Sequence, residues 1–413
     1  MVPHSRCSPC GQPGARSRMH RSSGTVRDCC PVRRSVGEDR TGVPARRLAL
    51  DVLTRVEDDG AYANLALRHA LDASSLSVAD RRLVTDLVAG TLRRRRSLDA
   101  LVDVHLERPP PPTARRALRL GAYQLIYRDD LPAYAVVSTT VEAVPQRFRG
   151  LLNAVLRRVA DAPVHFASPA EELSYPDWIH DRLVEDLGPV RATAAMEAMN
   201  VPPRVHTRAD GYVQDLASQW VVEVVGASPG DLVVDLCAAP GGKATALAAT
   251  GATVIAGEPG GSRLGLLRSA ALDAGPGAMR VISADARYPP MRSGVADRVL
   301  LDAPCSGLGV LARRADARWR IDAEAPERLA GQQVELLRAA VRLLRPGGEL
   351  TYSVCTLTRA ETFGVDDAIA ADDCHLEPLP PPGPPWIPWG RGALLLPIGG
   401  EYDGMAVFRY RRG

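Results

Sequence analysis

"VVDLCAAPGGKATALA" (Val233–Ala248) carries the decision about the fold. Two β-branched residues run into Asp235, then Pro240, Gly241 and Gly242 break the chain, and an alanine–leucine run resumes with helical character. Strand, glycine turn and helix, in that order, are how an open α/β sheet forms a ligand site outside the carboxyl end of a strand. The neighbouring segments agree. "ATVIAGE" (Ala252–Glu258), "MRVISAD" (Met279–Asp285), "ADRVLLDAP" (Ala296–Pro304) and "GELTYSVC" (Gly348–Cys355) are short apolar runs bounded by turns. Helical stretches, notably Ser262–Ala274 and Ala325–Leu344, separate most of them. The alternation predicts a doubly wound, mostly parallel sheet over residues 229–413, with "MAVFRYRR" (Met405–Arg412) as a late antiparallel strand.

Three kinds of ligand compete for the glycine turn. A phosphate-binding loop needs G-x-x-x-x-G-K-[ST], but Cys237 stands at the first glycine and Ala244 follows Lys243. The dinucleotide pattern G-x-G-x-x-G is missing from this turn. What remains is a loop whose glycines let backbone approach a ligand closely, with acids further on. Glu258 ends the second run, 23 residues after Asp235, where a carboxylate can accept from both ribose hydroxyls. Asp285 ends the third, within reach of an adenine amino group. No positive cluster awaits a phosphate, so a nucleoside without phosphates fits, S-adenosylmethionine being the common one. An ordinary tight turn explains the glycines but not acids ending two successive strands.

"LLDAPCSGLGVLARRADARW" (Leu300–Trp319) ends a buried run in a proline turn that presents Asp302 and Cys305. "LTYSVCTLTRAE" (Leu350–Glu361) places Cys355 at the end of another. Strand ends of such a sheet converge on one edge, so Cys305 and Cys355 are expected to flank one pocket with Asp302 between them. Methylation of a pyrimidine ring carbon needs this equipment. A thiolate adding to carbon 6 of cytosine makes carbon 5 nucleophilic enough to take a methyl group, and a nearby positive charge must favour the thiolate. Asp302 would orient the amino edge of the ring, and a second thiol would assist release. The plain alternative is that both cysteines are small buried hydrophobes.

Ahead of the sheet, residues 44–162 are helical in period throughout. Leu48, Val52, Leu53 and Val56 share a face; so do Leu83, Leu87, Val88 and Leu92, and then Leu151, Leu152, Val155, Leu156 and Val159. "ERPPPPTARR" (Glu107–Arg116) is a breaker within a bundle of six or seven helices. Arginines cluster at Arg93–Arg96, Arg147 and Arg149, and Arg157–Arg158, either as solvated faces or as an RNA-facing patch. Residues 163–228 form a connector with a helix in "SYPDWIHDRLVEDLG".

Residues 1–43 lack a hydrophobic period and are expected to be a disordered, Arg-rich extension. Cys7, Cys10, Cys29 and Cys30 make a poor zinc knuckle, because the second pair has no spacer; no metal is expected. No apolar run reaches a membrane span and no secretory signal is evident, so the expectation is a cytoplasmic protein with free thiols. Residues 1–47 hold ten arginines against three acids in a chain of net charge +3, which leaves −4 for the rest. Nucleic-acid affinity of the folded part must therefore come from local patches. The chain has fifty arginines and a single lysine, Lys243.

"DLCAAPGGK", "LLDAPCSGLG" and "YSVCTLTRAE" together resemble motifs I, IV and VI of the NOL1/NOP2/Sun family of RNA 5-methylcytosine methyltransferases, in the right order. Within that family the chain is most similar to the bacterial members acting on small-subunit (16S) rRNA. "LLNAVLRR" (Leu151–Arg158) resembles the end of their NusB-like RNA-binding domain, and "VQDLASQ" and "DGMAVFR" also match; the likeness spans residues 44–412. It implies a Rossmann-like S-adenosylmethionine-dependent domain behind an all-α NusB-like one. Cys355 would be the nucleophile, Cys305 would assist release, and Asp302 would hold the cytosine beside the donor. Ala239, Pro240, Gly241, Gly242 and Lys243 would line the methyl donor, with Glu258 on its ribose and Asp285 near adenine. Arg313, Arg314 and Arg318 would hold RNA phosphates, with Arg157 and Arg158 contributing from the helical domain, and Trp319 would pack or stack. The expected partner is ribosomal RNA and the expected state a monomer. The chain departs from the family at Val354 before the nucleophile, at Ala312 and Ala315 in the arginine stretch, at Glu258 where Asp is commoner, and in lacking a histidine near "PIGGEYDGM". Competing readings keep the chemistry on tRNA or large-subunit rRNA, or make the chain a ribosome-assembly factor with a vestigial site. DNA methylation would leave Cys355 without a task.

Overall fold

Seven helices form the N-terminal bundle of the described residues: α1 (Val43–Glu57), α2 (Ala63–Asp72), α3 (Val78–Arg93), α4 (Arg95–Asp103), α5 (Pro112–Tyr127), α6 (Ala133–Glu142) and α7 (Gln146–Asp161). Their apolar stripes meet in one cluster that includes Val52, Leu53, Leu87, Leu92, Leu152 and Leu156. Each such leucine, fully withdrawn from water, contributes roughly 1.5–3 kcal/mol. Ser77 caps α3 by accepting from the Asp80 N–H at 3.1 Å. The proline-rich breaker is shorter than its composition suggests. Pro112 opens α5, where its missing N–H has no helical partner to lose, so only residues 104–111 lie outside helix. Val43, expected in the extension, is the first residue of α1.

The computed structural model describes residues 42–413 except 276, 278, 373 and 374, and these belong to one compact unit. The expected extension and its four cysteines lie outside the described residues. The connector carries α8 (Pro169–Glu172), α9 (Asp177–Leu187), α10 (Pro189–Ala198) and α11 (Leu216–Val225). Thereafter β1 (Leu232–Asp235), α12 (Gly242–Ala248), β2 (Thr253–Glu258), α13 (Gly261–Asp273), β3 (Met279–Ser283), β4 (Ala296–Asp302), α14 (Ala325–Leu343) and β5 (Leu344–Val354) alternate as expected. α15 (Phe363–Ala371), β6 (Leu376–Pro378), β7 (Ile387–Trp389), β8 (Gly392–Leu395) and β9 (Met405–Arg412) complete the chain.

The strand order is β3-β2-β1-β4-β5-β9-β8-β7, with β6 also on β9. The first five are parallel and β9 runs antiparallel to β5, as the sequence predicts. The short β6, β7 and β8 were not legible, since three or four residues with proline and tryptophan carry no period. Winding reverses between β1 and β4, which is where an open sheet of this kind leaves its ligand crevice. Asp235 and Asp302 end those two strands, and Asp302 is in register with Ser353 of β5.

The arginine stretch after β4 corrects an expectation. Arg318, expected on RNA phosphates, is 0% exposed. Its guanidinium donates to the carbonyls of Arg93, Ser174, Met199 and Leu311 and to Asn200 Oδ1, and lies 4.2 Å over the Tyr175 ring. Around it, Arg93 Nε donates to the Ala312 carbonyl, Trp319 Nε1 to that of Leu92 at 2.7 Å, and Asp316 accepts from the Ala63 N–H. Ala315 belongs to the helical bundle's core. The Arg93–Arg96 cluster is thus largely engaged within the chain, with Arg93 withdrawn from any surface role. Arg93 is buried, Arg94 lies over Tyr127, Arg95 over Trp319, and Arg96 pairs with Asp177. The segment is a wedge joining bundle to sheet, and Trp319 packs within it.

Candidate active site

A cavity of about 220 Å³ opens at the carboxyl ends of β1 and β4. Its walls include Asp235, Ala238, Ala239, Pro240, Gly242, Lys243 and Asp302, together with Tyr212, Gln214 and Asp215 from the connector. Larger cavities, of about 570 and 690 Å³, lie elsewhere and bring no thiol or glycine loop together. Gly241 has φ +115°, and a Cβ there would lie 2.6 Å from that of Ala270, so only glycine takes this turn. Lys243 Nζ meets Asp302 Oδ2 at 2.7 Å, and Asp302 Oδ1 accepts from Ser353 Oγ at 2.9 Å. Burial alone would push the Lys243 ammonium down, but the Asp302 carboxylate outweighs it and raises it above its usual value.

Asp235 is 1% exposed and neither of its carboxylate oxygens has a hydrogen-bond partner in the structure. Burial first, and the Asp302 charge next, push its carboxyl up to about 7. An orphaned acid on the wall of a cavity lined by three aspartates and one committed lysine suits a cationic ligand better than a phosphate.

Cys305 Sγ lies 3.2 Å from Cys355 Sγ, so nothing sits between the thiols; Asp302 is held to one side by Lys243 and Ser353. The two sulfurs are electrostatically unlike. The hydrogen bond from Cys305 holds the Cys355 thiol below its ordinary value, with Arg314 and Lys243 helping against burial and Asp302. The same contact, with burial and the charges of Cys355 and Glu361, pushes Cys305 well above it. Burial also raises Cys237, the third free thiol described. The two cysteine loops touch through backbone. Gly309 N–H donates to the Cys355 carbonyl at 3.0 Å, and a Cβ on Gly309 would sit 2.3 Å from the Gly404 carbonyl oxygen.

Of the residues expected on a methyl donor, Ala239, Pro240, Gly242, Lys243 and Asp302 line this cavity, and Gly241 shapes the turn without lining it. Glu258 ends β2 outside the lining, buried and tied by Arg263 to the Ala239 carbonyl. Asp285 stands two residues beyond β3, not at its end, and pairs with Arg287. Arg313 is spanned by Asp215 and Asp403, which neutralise it; Arg314 is exposed and its side chain makes no hydrogen bond or ion pair among the described residues. Arg157 and Arg158 are exposed on α7. The sequence reading missed Asp215, Tyr212 and Gln214, which a turn closed by the Thr207–Val213 bridge folds over the cavity; the "ADG" at Ala209–Gly211 marks that turn. No group of His, Cys, Asp or Glu able to hold a metal occurs among the described residues.

Residues 222–408 match the model of the 16S rRNA methyltransferase RsmB/F family, and residues 43–161 that of the NusB family. The ribosomal RNA small subunit methyltransferase B of Thermus thermophilus is 36% identical over 415 residues, covering 90% of this chain and 98% of that protein. The chain belongs to the 16S rRNA methyltransferase RsmB/F family. The probable ribosomal RNA small subunit methyltransferase B of Synechocystis is 32% identical, covering 77% of this chain and 87% of that one. For the fold alone, the crystal structure of PH0851 superposes with a TM-score of 0.72 at 21% identity, over 90% of this chain and 98% of that one. In this RsmB/F chain the NusB match is the α1–α7 bundle, and the RsmB/F match runs from within α11 to within β9. No helix described is long and apolar enough to cross a membrane.

Proposed function

We propose that this chain methylates carbon 5 of a cytosine in small-subunit ribosomal RNA through a covalent Cys355 adduct, using S-adenosylmethionine. The observation that carries it is the pair of sulfurs 3.2 Å apart, one favoured as thiolate and one as thiol, beside the Asp302–Lys243 ion pair. The donor supplies an electrophilic methyl group. Asp235, Gly242, Lys243 and the Tyr212–Asp215 turn would hold it, with Glu258 and Asp285 reaching its nucleoside from the rim. The Cys355 thiolate forms a bond to carbon 6, and the carbon 5–carbon 6 π pair moves onto carbon 5, which takes the methyl as the donor's sulfur–methyl bond breaks and its electron pair stays on that sulfur as a neutral thioether. Loss of the carbon 5 proton then restores the double bond as the Cys355 bond to carbon 6 breaks, with Cys305 assisting release. Asp302, fixed from two sides, presents its free lone pairs to the amino edge of the ring. The α1–α7 bundle would supply RNA contacts through Arg157 and Arg158, and Arg314 those nearest the thiols.

Adduct trapping tests this. A small-subunit rRNA transcript and S-adenosylmethionine are incubated with parent, Cys305→Ala and Cys355→Ala proteins, then run on a denaturing gel. A stable protein–RNA band with Cys305→Ala and none with Cys355→Ala is expected. A band that requires Cys305 reverses the two roles; no band in any variant, with donor binding intact, sinks the RNA assignment or the catalytic one.

Asp235 makes donor binding depend on pH. Its folded-state value near 7 lies above the ordinary aspartate value, so the folded chain keeps a proton that the unfolded chain loses. Stability therefore declines as pH rises from about 4 to about 7 and is flat above. A cation beside Asp235 favours its ionised form, so donor affinity should rise with pH by up to about tenfold per unit below 7, then level. Calorimetric titration with S-adenosylmethionine at pH 5.5 to 8 measures this, and Asp235→Asn should abolish the slope. A slope that survives the substitution belongs to another group.

A further inference from the structure

Glu361 is six residues beyond Cys355, 0% exposed, and has no part in the chemistry above. Its carboxylate collects four donors. Oε1 accepts from the Ser306 N–H at 2.7 Å and from Gln333 Nε2 at 3.1 Å; Oε2 accepts from Ser306 Oγ at 2.5 Å and Thr358 Oγ1 at 2.9 Å. Two of these come from the residue next to Cys305, and Thr358 is on the Cys355 loop. Ser306 Oγ also meets Thr356 Oγ1 at 2.8 Å, one residue from Cys355. Gln333, on α14, reaches the Pro304 carbonyl with the same amide nitrogen, so both sides of the Cys305 turn are fixed to it. The Tyr352 hydroxyl donates to the Glu361 carbonyl at 2.8 Å. One buried carboxylate thus lies at the junction of the two thiol-bearing loops.

We propose that Glu361 is a positioning residue that divides the work between the thiols, fixing the Cys305 turn against the Cys355 loop and opposing negative charge on the Cys305 sulfur. This rests on the two-thiol reading above. Glu361 is among the largest charges that disfavour a Cys305 thiolate, whereas the largest charges acting on Cys355 are Asp302, Arg314 and Lys243. Buried charge acts through little intervening water, so the bias is larger than a surface carboxylate would give. The proton stays on Cys305, which can then donate its hydrogen bond to Cys355.

The test needs no RNA. Parent, Glu361→Gln and Ser306→Ala proteins are alkylated with iodoacetamide at several pH values, and peptide mass spectrometry follows each cysteine. In the parent, Cys355 should react at least tenfold faster than Cys305. Glu361→Gln removes the charge at nearly constant volume and should raise Cys305 labelling at least threefold, drawing the ratio toward one. Ser306→Ala keeps the carboxylate but withdraws one of its four donors, and should move the ratio the same way by only about twofold. Cys237 is half-buried on the wall of the donor cavity, so the fold of each variant is read from its thermal midpoint instead. If Glu361→Gln lowers that midpoint by more than about 10 °C, Thr358→Val takes its place. That change withdraws one donor from the carboxylate, favours its neutral form, and should move the ratio the same way by about twofold. A ratio unmoved in the folded charge variant overturns the role of Glu361. A parent in which Cys305 is the faster thiol overturns the nucleophile assignment beneath it.

Discussion

Replacing Arg318 with alanine is expected to lower the stability of the chain by roughly 3–5 kcal/mol, one of the largest single-residue effects available in the molecule. The guanidinium donates to five acceptors that lie in α3, the connector and the loop after β4. Removing it leaves buried carbonyls without donors, and each such orphan costs about 1–3 kcal/mol before relaxation. A cavity the size of the lost side chain adds to this. Burial lowers the Arg318 value to about 10, against the help of Tyr175, so the group still carries its charge at neutral pH. Lysine should rescue only part of the loss, because a point donor cannot serve acceptors arranged around a planar fork. Thermal unfolding checks this, at roughly 2–4 °C per kcal/mol for a domain of 150–250 residues. The bundle and the sheet should also separate into two transitions, since Arg318 is a principal bond between them. A midpoint within a degree of the parent's would show that the wedge is held by packing alone.

Lys243→Met should cost at least a hundredfold in methyl transfer, about 2.7 kcal/mol. Three effects act in the same direction. Asp302 loses its ion pair and keeps only Ser353. Asp235, whose carboxyl Lys243 helps to hold down, moves further up and stays protonated at neutral pH. Cys355 loses one of the cations that favour its thiolate. Breaking a buried pair by deleting one partner is costly because the other charge stays behind. Lys243→Arg should restore little, because the longer planar group does not fit the 11% exposed niche of the ammonium. Single-turnover kinetics separate the effects, since the loss at saturating donor reports the thiolate and ion-pair contributions without the binding one. Undiminished single-turnover rates would confine Lys243 to donor binding.

Much of the fold was legible because its local causes are local in the chain. A helix repeats near every 3.6 residues and a strand every two, so Leu87, Val88 and Leu92, or Val233 and Val234, declare their element before any partner is known. The glycine turn, the acids at strand ends and the two thiols were legible for a related reason. Strand ends of a doubly wound sheet share one edge, and Asp302 and Cys355 follow adjacent strands. Where the reading failed, the residue type was the same in every competing role. Arginine looks alike in a sequence whether it is solvated, set against RNA or fully buried.

The alternation of β1–β5 with their helices, the position of the glycine turn and the placement of two thiols beyond adjacent strands were therefore determined by the sequence itself. Tertiary structure alone decided which charges are free to act. Arg318 bonds to a carbonyl 225 residues away, Arg313 to carboxylates 98 and 90 residues away, and only Arg314 of the three is left exposed and unpaired among the described residues. It also made the two sulfurs electrostatically unlike, through a contact between loops 50 residues apart, beside a buried glutamate with no period to announce it. Backbone periodicity depends on neighbours along the chain, whereas the state of a charge or a thiol depends on the donors, acceptors and dielectric that distant segments bring to it.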